Sequence, residues 1–183
     1  MIQLKLYGLG GQGVVTAGKL LATAVAIYEN KYAQTVPAYG HERRGAPVYA
    51  DVILGEEPIL VKSFVYKPDY VMVFDLAVLE KGVDVTEGAH ANTCFVVNAH
   101  QLNPEFPFIN KFGSVYYVDA TKIALEVLGI DIPNSAMLGA FAATGVVSID
   151  AVCAALEETF KGKAGERNVE AARRCYEAVR KFS

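Results

Sequence analysis

Near the start of the chain, Gly8-Leu9-Gly10-Gly11-Gln12-Gly13-Val14-Val15-Thr16-Ala17-Gly18 has the residue types and spacing of an anion cradle. It follows the alternating apolar run Ile2 to Tyr7 and opens Val14 to Tyr28, a proline-free stretch rich in Ala and Leu. The pattern predicts a strand, a glycine turn and a buried helix. Amides left free at a helix start point outwards and favour negative charge. The candidate contacts for an anionic group are therefore Gly8, Gly10, Gly11, Gln12, Gly13 and Thr16. Gly8 and Gly10 are expected to take backbone angles closed to other residues, and Gly13 to let the first helical turn approach the strand. The same glycines fit the dinucleotide fingerprint, but that use requires an acidic residue about 20 positions further on, ending the second strand. The next strand, Lys31 to Val36, ends instead at Pro37, Ala38 and Tyr39, and Glu29 lies before it. A dinucleotide is thus disfavoured, while a structural turn and another anionic or partner group stay open.

A second chemically loaded stretch is the loop Gln34 to Pro47, which contains Tyr39-Gly40-His41-Glu42-Arg43-Arg44-Gly45. Its glycines and prolines mark a loop at a strand end, where a rigid scaffold presents functional groups. Arg43 and Arg44 could grip a phosphate or carboxylate in a bidentate way. Two other readings stand beside that one: a subunit contact through Tyr39, His41, Glu42 and Gly45, and a plain solvated loop. No nucleophile or second base is fixed beside His41 by spacing, so no catalytic residue is expected.

The elements that position these groups follow from patterning. Pro47 to Leu54 alternates as a half-buried strand, and Gly55-Glu56-Glu57-Pro58 reads as a turn into Ile59-Leu60-Val61, a hairpin. Tyr70 to Phe74, Thr93 to Asn98 and Ser114 to Val118 read as buried strands. Asp75 either caps the short helix Leu76 to Lys81 or faces a ligand crevice, and Asp119 caps Lys122 to Leu128. Between strands, the apolar loop Gln101 to Gly113, with Phe106, Phe108 and Phe112, needs a cover. Asn134 to Thr144 is small and apolar, either an internal helix or one packed on a partner through Asn134 and Met137. Ser148 opens a helix to Phe160, and Glu166 to Lys181 forms an amphipathic one after the hinge Phe160-Lys161-Gly162-Lys163. The expected fold is α/β: a Rossmann-like open sheet, mostly parallel, with an inserted β-hairpin and a helical C-terminal segment, in one domain spanning 1–183.

Composition narrows the function classes. With 52% apolar residues, 183 residues suffice for a sheet covered on both sides. Net charge is −3 with scattered basic residues, which disfavours a nucleic-acid partner. No apolar run reaches membrane-spanning length and the start runs straight into a strand, so the expectation is a cytoplasmic protein with no membrane partner. Cys94, Cys153 and Cys175 are far apart and unpaired by any C-x-x-C spacing, which points to buried structural thiols and away from a metal or cluster held by this chain.

Three separated motifs then add up to a resemblance. The turn Gly8 to Ala22, the loop Tyr39 to Pro47, and Asn134-Ser135-Ala136-Met137-Leu138-Gly139-Ala140 with Phe160-Lys161-Gly162-Lys163 resemble the gamma subunit of the 2-oxoacid (pyruvate or 2-oxoglutarate):ferredoxin oxidoreductases, from Leu6 to about Tyr176. The resemblance implies a subunit of a complex that decarboxylates a 2-oxoacid oxidatively to an acyl-coenzyme A and reduces ferredoxin, with thiamine diphosphate, Mg2+ and [4Fe-4S] clusters carried by partner alpha, beta and delta (ferredoxin-like) subunits. No thiamine-binding Gly-Asp-Gly with a distant Asn-Asn pair is evident here. This chain is then expected to serve assembly and, through the glycine turn with Arg43 and Arg44, a coenzyme A surface. The competing readings are a free-standing Rossmann-like nucleotide- or anion-binding protein and an indolepyruvate oxidoreductase-type subunit.

Overall fold

The structure is a computed structural model that describes residues 1–37, 43–106 and 108–182. The expectations at Tyr39, His41 and Glu42 lie outside the described residues. The strands are β1 (Ile2–Leu9), β2 (Tyr32–Pro37), β3 (Pro47–Gly55), β4 (Tyr70–Val73), β5 (Cys94–Asn98), β6 (Ser114–Val118) and β7 (Arg180–Lys181). The α-helices are α1 (Val14–Thr23), α2 (Ala120–Leu128), α3 (Asn134–Ala142), α4 (Ile149–Phe160) and α5 (Gly162–Ala178).

All the strands join one open sheet in the order β2-β3-β1-β4-β5-β6-β7. Its centre, β1-β4-β5-β6, is parallel, and both ends are antiparallel. The inserted hairpin differs from the sequence expectation. Pro47–Gly55 pairs back onto Tyr32–Pro37, with Val36 opposite Asp51, and Ile59–Val61 is not a strand. The turn after Gly55 therefore leads into a strap that crosses the sheet face rather than into a paired strand.

Alternation along β1 sends Leu4 and Leu6 to one face and Lys5 and Tyr7 to the other. The first face carries the larger core: Leu4, Leu6, Ala50, Val52, Met72 and Val96 meet α1, α3, α4 and α5. Among the described residues the second face has no α-helix. Over β4, β5 and β6 it is closed by short turns and by the Gln101–Gly113 loop, which is itself the cover: Phe112 stacks on Phe95 at 4.5 Å and Phe108 meets it edge-on at 5.5 Å.

Helix boundaries follow local chemistry. Asp75 accepts from Ala77 N at 2.9 Å, Asp119 from Lys122 N at 3.0 Å and Ser148 from Ala151 N at 3.1 Å, so each predicted cap is made. The first helix does not run unbroken to Tyr28: after Thr23 the ladder widens into one π turn, Ala24–Tyr28, closed by Glu29 N donating to Ala24 O at 3.1 Å. That shift brings Glu29 to Ser148, whose amide donates to its carboxylate at 2.7 Å.

All nine residues of α3 are buried. Met137 is fully enclosed, as the internal-helix reading expects. The helix can be internal because Gly139 lets α5 lie directly against it: a Cβ there would meet the carbonyl carbon of Ala172 at 2.6 Å and its Cα at 2.7 Å.

Candidate functional site

The glycine turn sits at the carboxyl end of β1, next to β4, where open α/β sheets leave a crevice. The roles of the glycines differ from those expected of them. Gly11 and Gly13 hold the left-handed backbone angles (φ +94° and +75°), whereas Gly8 and Gly10 are needed for close approach. A Cβ on Gly8 would strike Val14 Cγ2 at 2.5 Å, and one on Gly10 would meet the carbonyl carbon of Arg43 at 3.1 Å. Gln12 folds beneath the turn, its oxygen accepting from Leu9 N at 2.8 Å and its nitrogen donating to Asp75 Oδ2 at 2.7 Å. Asp75 thus serves both as a cap and as an anchor for the turn, and the Gln12 amide is committed to the scaffold.

The loop of Arg43 and Arg44 is bound to this turn by backbone bonds: Gly10 N donates to Ala46 O at 2.7 Å and Gly45 N to Gly10 O at 3.1 Å. The start of α3 reaches the same place, because Gly13 packs on Asn134, whose Cγ would lie 2.8 Å from a Cβ there. The glycine turn is therefore in contact with both of the other stretches, Arg43–Ala46 on one side and Asn134 on the other. Lys161 and Lys163 are exposed, and of that hinge Phe160 lines the cleft.

Beside the turn lies a cleft of about 670 Å3 bounded by Gly10, Gly11, Gly13, Thr16, Asn134 and Arg167, with Val15, Ile130, Ile132 and Phe160 as its apolar walls. A hollow of about 490 Å3 between Gly10, Gly11, Arg43, Arg44 and Asp131 adjoins it. The start of α1 has no side-chain cap and no acidic residue in its first turn. Asn134 is 6% exposed; its oxygen accepts from Ser135 N at 2.9 Å while its amide nitrogen faces Gly13. Beneath it Ser135 donates to Asn168 at 2.6 Å, and Asn168 donates to Ala164 O at 2.8 Å, which fixes α3 against α5. Chemically, the cleft offers uncapped amides, an amide donor and guanidiniums beside apolar walls, with the Asp131 carboxylate on one rim. Arg167 and Asn168 were not singled out in the sequence, since they lie in an amphipathic helix whose packing alone brings them here.

Cys94, Cys153 and Cys175 are free and buried, and none of them lines this cleft. Burial pushes the thiols of Cys94, Cys153 and Cys175 above the ordinary range, most strongly for Cys175, which disfavours the thiolate that a metal or cluster requires. Among the described residues no group of three or more His, Cys, Asp or Glu is placed to hold a metal ion. No helix among them is long and apolar enough to cross a membrane.

Fold and turn together define a Rossmann-like α/β domain with an open cleft at a helix start. The pyruvate ferredoxin/flavodoxin oxidoreductase family model matches residues 3–178. The chain is 45% identical over 185 residues to the Pyrococcus abyssi pyruvate/ketoisovalerate oxidoreductases common subunit gamma, covering 100% of this chain and 99% of that protein. It is 44% identical over 184 residues to pyruvate synthase subunit PorC of Methanocaldococcus jannaschii, with 100% and 99% covered. The crystal structure of a pyruvate oxidoreductase subunit from Thermotoga maritima superposes with a TM-score of 0.84 at 34% identity over 100% of this chain and 98% of that one. The same fold recurs, at 19% identity and a TM-score of 0.75, in a 2-oxoglutarate:ferredoxin oxidoreductase from Magnetococcus marinus, covering 96% of this chain and 31% of that longer one. The chain belongs to the pyruvate ferredoxin/flavodoxin oxidoreductase family, as a gamma-type subunit of a 2-oxoacid:ferredoxin oxidoreductase.

Proposed function

We propose that this subunit, a single domain over 1–183, is not catalytic alone and contributes a binding surface for the phosphate-bearing part of coenzyme A within its complex. The observation that carries the reading is the meeting of three distant stretches, Gly8–Gly13, Arg43–Arg44 and Asn134, at one uncapped helix start. A phosphate suits that place: main-chain amides and the Asn134 nitrogen supply neutral donors, and Arg43, Arg44 and Arg167 supply positive charge. The apolar walls suit the rest of a large ligand.

In this reading the alpha, beta and delta partners hold the thiamine diphosphate, Mg2+ and [4Fe-4S] clusters, ferredoxin takes the electrons, and the complex works in the cytoplasm. The 2-oxoacid is chosen by those partners, which accords with a relative named as the gamma subunit common to pyruvate and ketoisovalerate enzymes. A second reading, assembly alone, draws support from Gln12, whose amide is spent on holding the turn.

The two separate in the intact complex. Arg43→Ala with Arg44→Ala should raise the apparent coenzyme A KM about 10-fold or more, since a hydrogen bond to a charged group contributes about 1.5–3 kcal/mol, while the oxoacid KM holds. An assembled, active complex with an unaltered coenzyme A KM would leave assembly as the only role.

A further inference from the structure

The second face of the sheet is unevenly covered. Over β2, β3 and Lys5 of β1, among the described residues, it carries the strap from Pro58 to Pro68, pinned from below at a few points, while Tyr7 of β1 is covered by the turns around Val78 and Val85. Val65 is buried; its amide donates to Asp51 Oδ2 at 2.9 Å and its carbonyl accepts from Lys5 Nζ at 3.2 Å. Gln34 of β2 spans the strap; with its amide oriented to satisfy both partners, its nitrogen donates to Val61 O (3.2 Å) and its oxygen accepts from Ser63 N (3.1 Å). Asp69 closes the far end, accepting from Gln3 N at 2.8 Å.

These anchors face inwards, and the large apolar side chains face out. Leu60 is 89% exposed, Val61 73%, Phe64 53% and Tyr66 74%, with Tyr49 of β3 beside them at 43%. Four large apolar residues exposed within seven positions, held in place by hydrogen bonds, form a patch of the kind that marks an interaction surface.

We infer that this strap docks a different subunit of the oxidoreductase complex, one that offers an apolar surface rimmed by carboxylates. Charge selects the occupant. Between its bounding prolines the strap carries Lys62 and Lys67 and no acid, in a chain of net charge −3. Glu56, just outside it, turns toward Lys31 at 3.8 Å. A two-fold contact between two copies would set lysine-bearing straps against each other, whereas an acidic rim on another subunit would satisfy them.

The test uses the full complex assembled from co-expressed subunits. Leu60→Asp with Phe64→Asp should weaken retention of this chain by about tenfold or more, and Lys62→Glu with Lys67→Glu should weaken it most at low salt. Tyr176→Asp on α5 is the control and should assemble normally. The melting of each isolated variant should match the parent, because the replaced side chains are exposed. If the double aspartate variant does not fold, hydrogen exchange on the unaltered chain decides: amides of residues 60–66 should gain protection on assembly. Undiminished assembly of both strap variants, or no gain in protection, overturns the proposal. So does a homodimer of the isolated chain that Leu60→Asp with Phe64→Asp breaks while assembly persists.

Discussion

Replacing Gly139 with alanine sets two effects against each other, and the structure decides which wins. Alanine is the better helix former by about 1 kcal/mol, so propensity alone expects α3 to gain stability. Against this, the new methyl would sit 2.6 Å and 2.7 Å from the Ala172 carbonyl carbon and Cα, where ordinary contact begins at 3.4 Å. These are backbone atoms with no rotamer to yield, and the Ala172 carbonyl oxygen lies nearer still, so α5 must withdraw by about 1.5 Å from a close-packed interior. Ala171, Ala172 and Cys175, all fully buried, would lose contact with α3 as it does so. Overpacking costs about 1–3 kcal/mol and sometimes more. With rigid backbone on both sides we take about 4 kcal/mol gross and about 3 kcal/mol net of the propensity gain. In a chain of this size that lowers the melting temperature by about 6–12 °C, or the urea midpoint by about 1.5 M at a slope of about 2 kcal/mol/M. Reversible urea unfolding of the full chain, followed by far-UV circular dichroism, measures it. An alanine variant as stable as the parent, or more stable, would refute the tight crossing of α3 and α5.

Two further outcomes follow from buried polar chemistry. Lys5 and Asp51 face each other across β1 and β3 at 3.5 Å, with Asp51 only 1% exposed, so Lys5→Met should cost about 3–5 kcal/mol by stranding the carboxylate, and a second change, Asp51→Val, should restore part of it; unfolding midpoints of the two variants check this. Because burial raises the thiols of Cys94, Cys153 and Cys175, folding favours their neutral form. That contribution is whole below the unfolded thiol pKa of about 8.5 and is lost as pH rises beyond it toward the folded values, so stability should fall on the alkaline side, and all three thiols should resist a disulfide reagent until urea unfolds the chain. Rapid native labelling of any of them would contradict their burial.

Local signals made much of this fold readable. Alternation in Ile2 to Tyr7 and the capping side chains Asp75, Asp119 and Ser148 act within a few residues, and each element they predict is formed. What escaped depends on contacts distant in sequence. Ile59–Val61 has strand-like residues, but the free edge of β3 is already taken by β2. Arg180–Lys181 forms β7 only because β6 offers an open edge beside it. At the cleft, residue types suggested an anion while the placement could not be read: that Asn134 packs on Gly13 at the helix start depends on α3 folding back onto the turn, a contact distant in sequence. Gln12 looked like a ligand and turned under to hold Asp75. Arg167 gave no signal, since a solvated arginine on an amphipathic helix looks the same whether or not a cleft opens beneath it.

The antiparallel end of the sheet also orders the birth of the molecule. β1 leaves the ribosome before the other strands of the sheet, yet its parallel neighbour β4 begins at Tyr70, so at about 5–20 residues per second roughly 3–12 s pass before that pairing is within reach. β2 and β3 form a local hairpin sooner, and β3 offers β1 a partner once Gly55 is made. A three-stranded antiparallel sheet, β2-β3-β1, can therefore shelter Leu4 and Leu6 during synthesis, with the parallel strands added to it one by one.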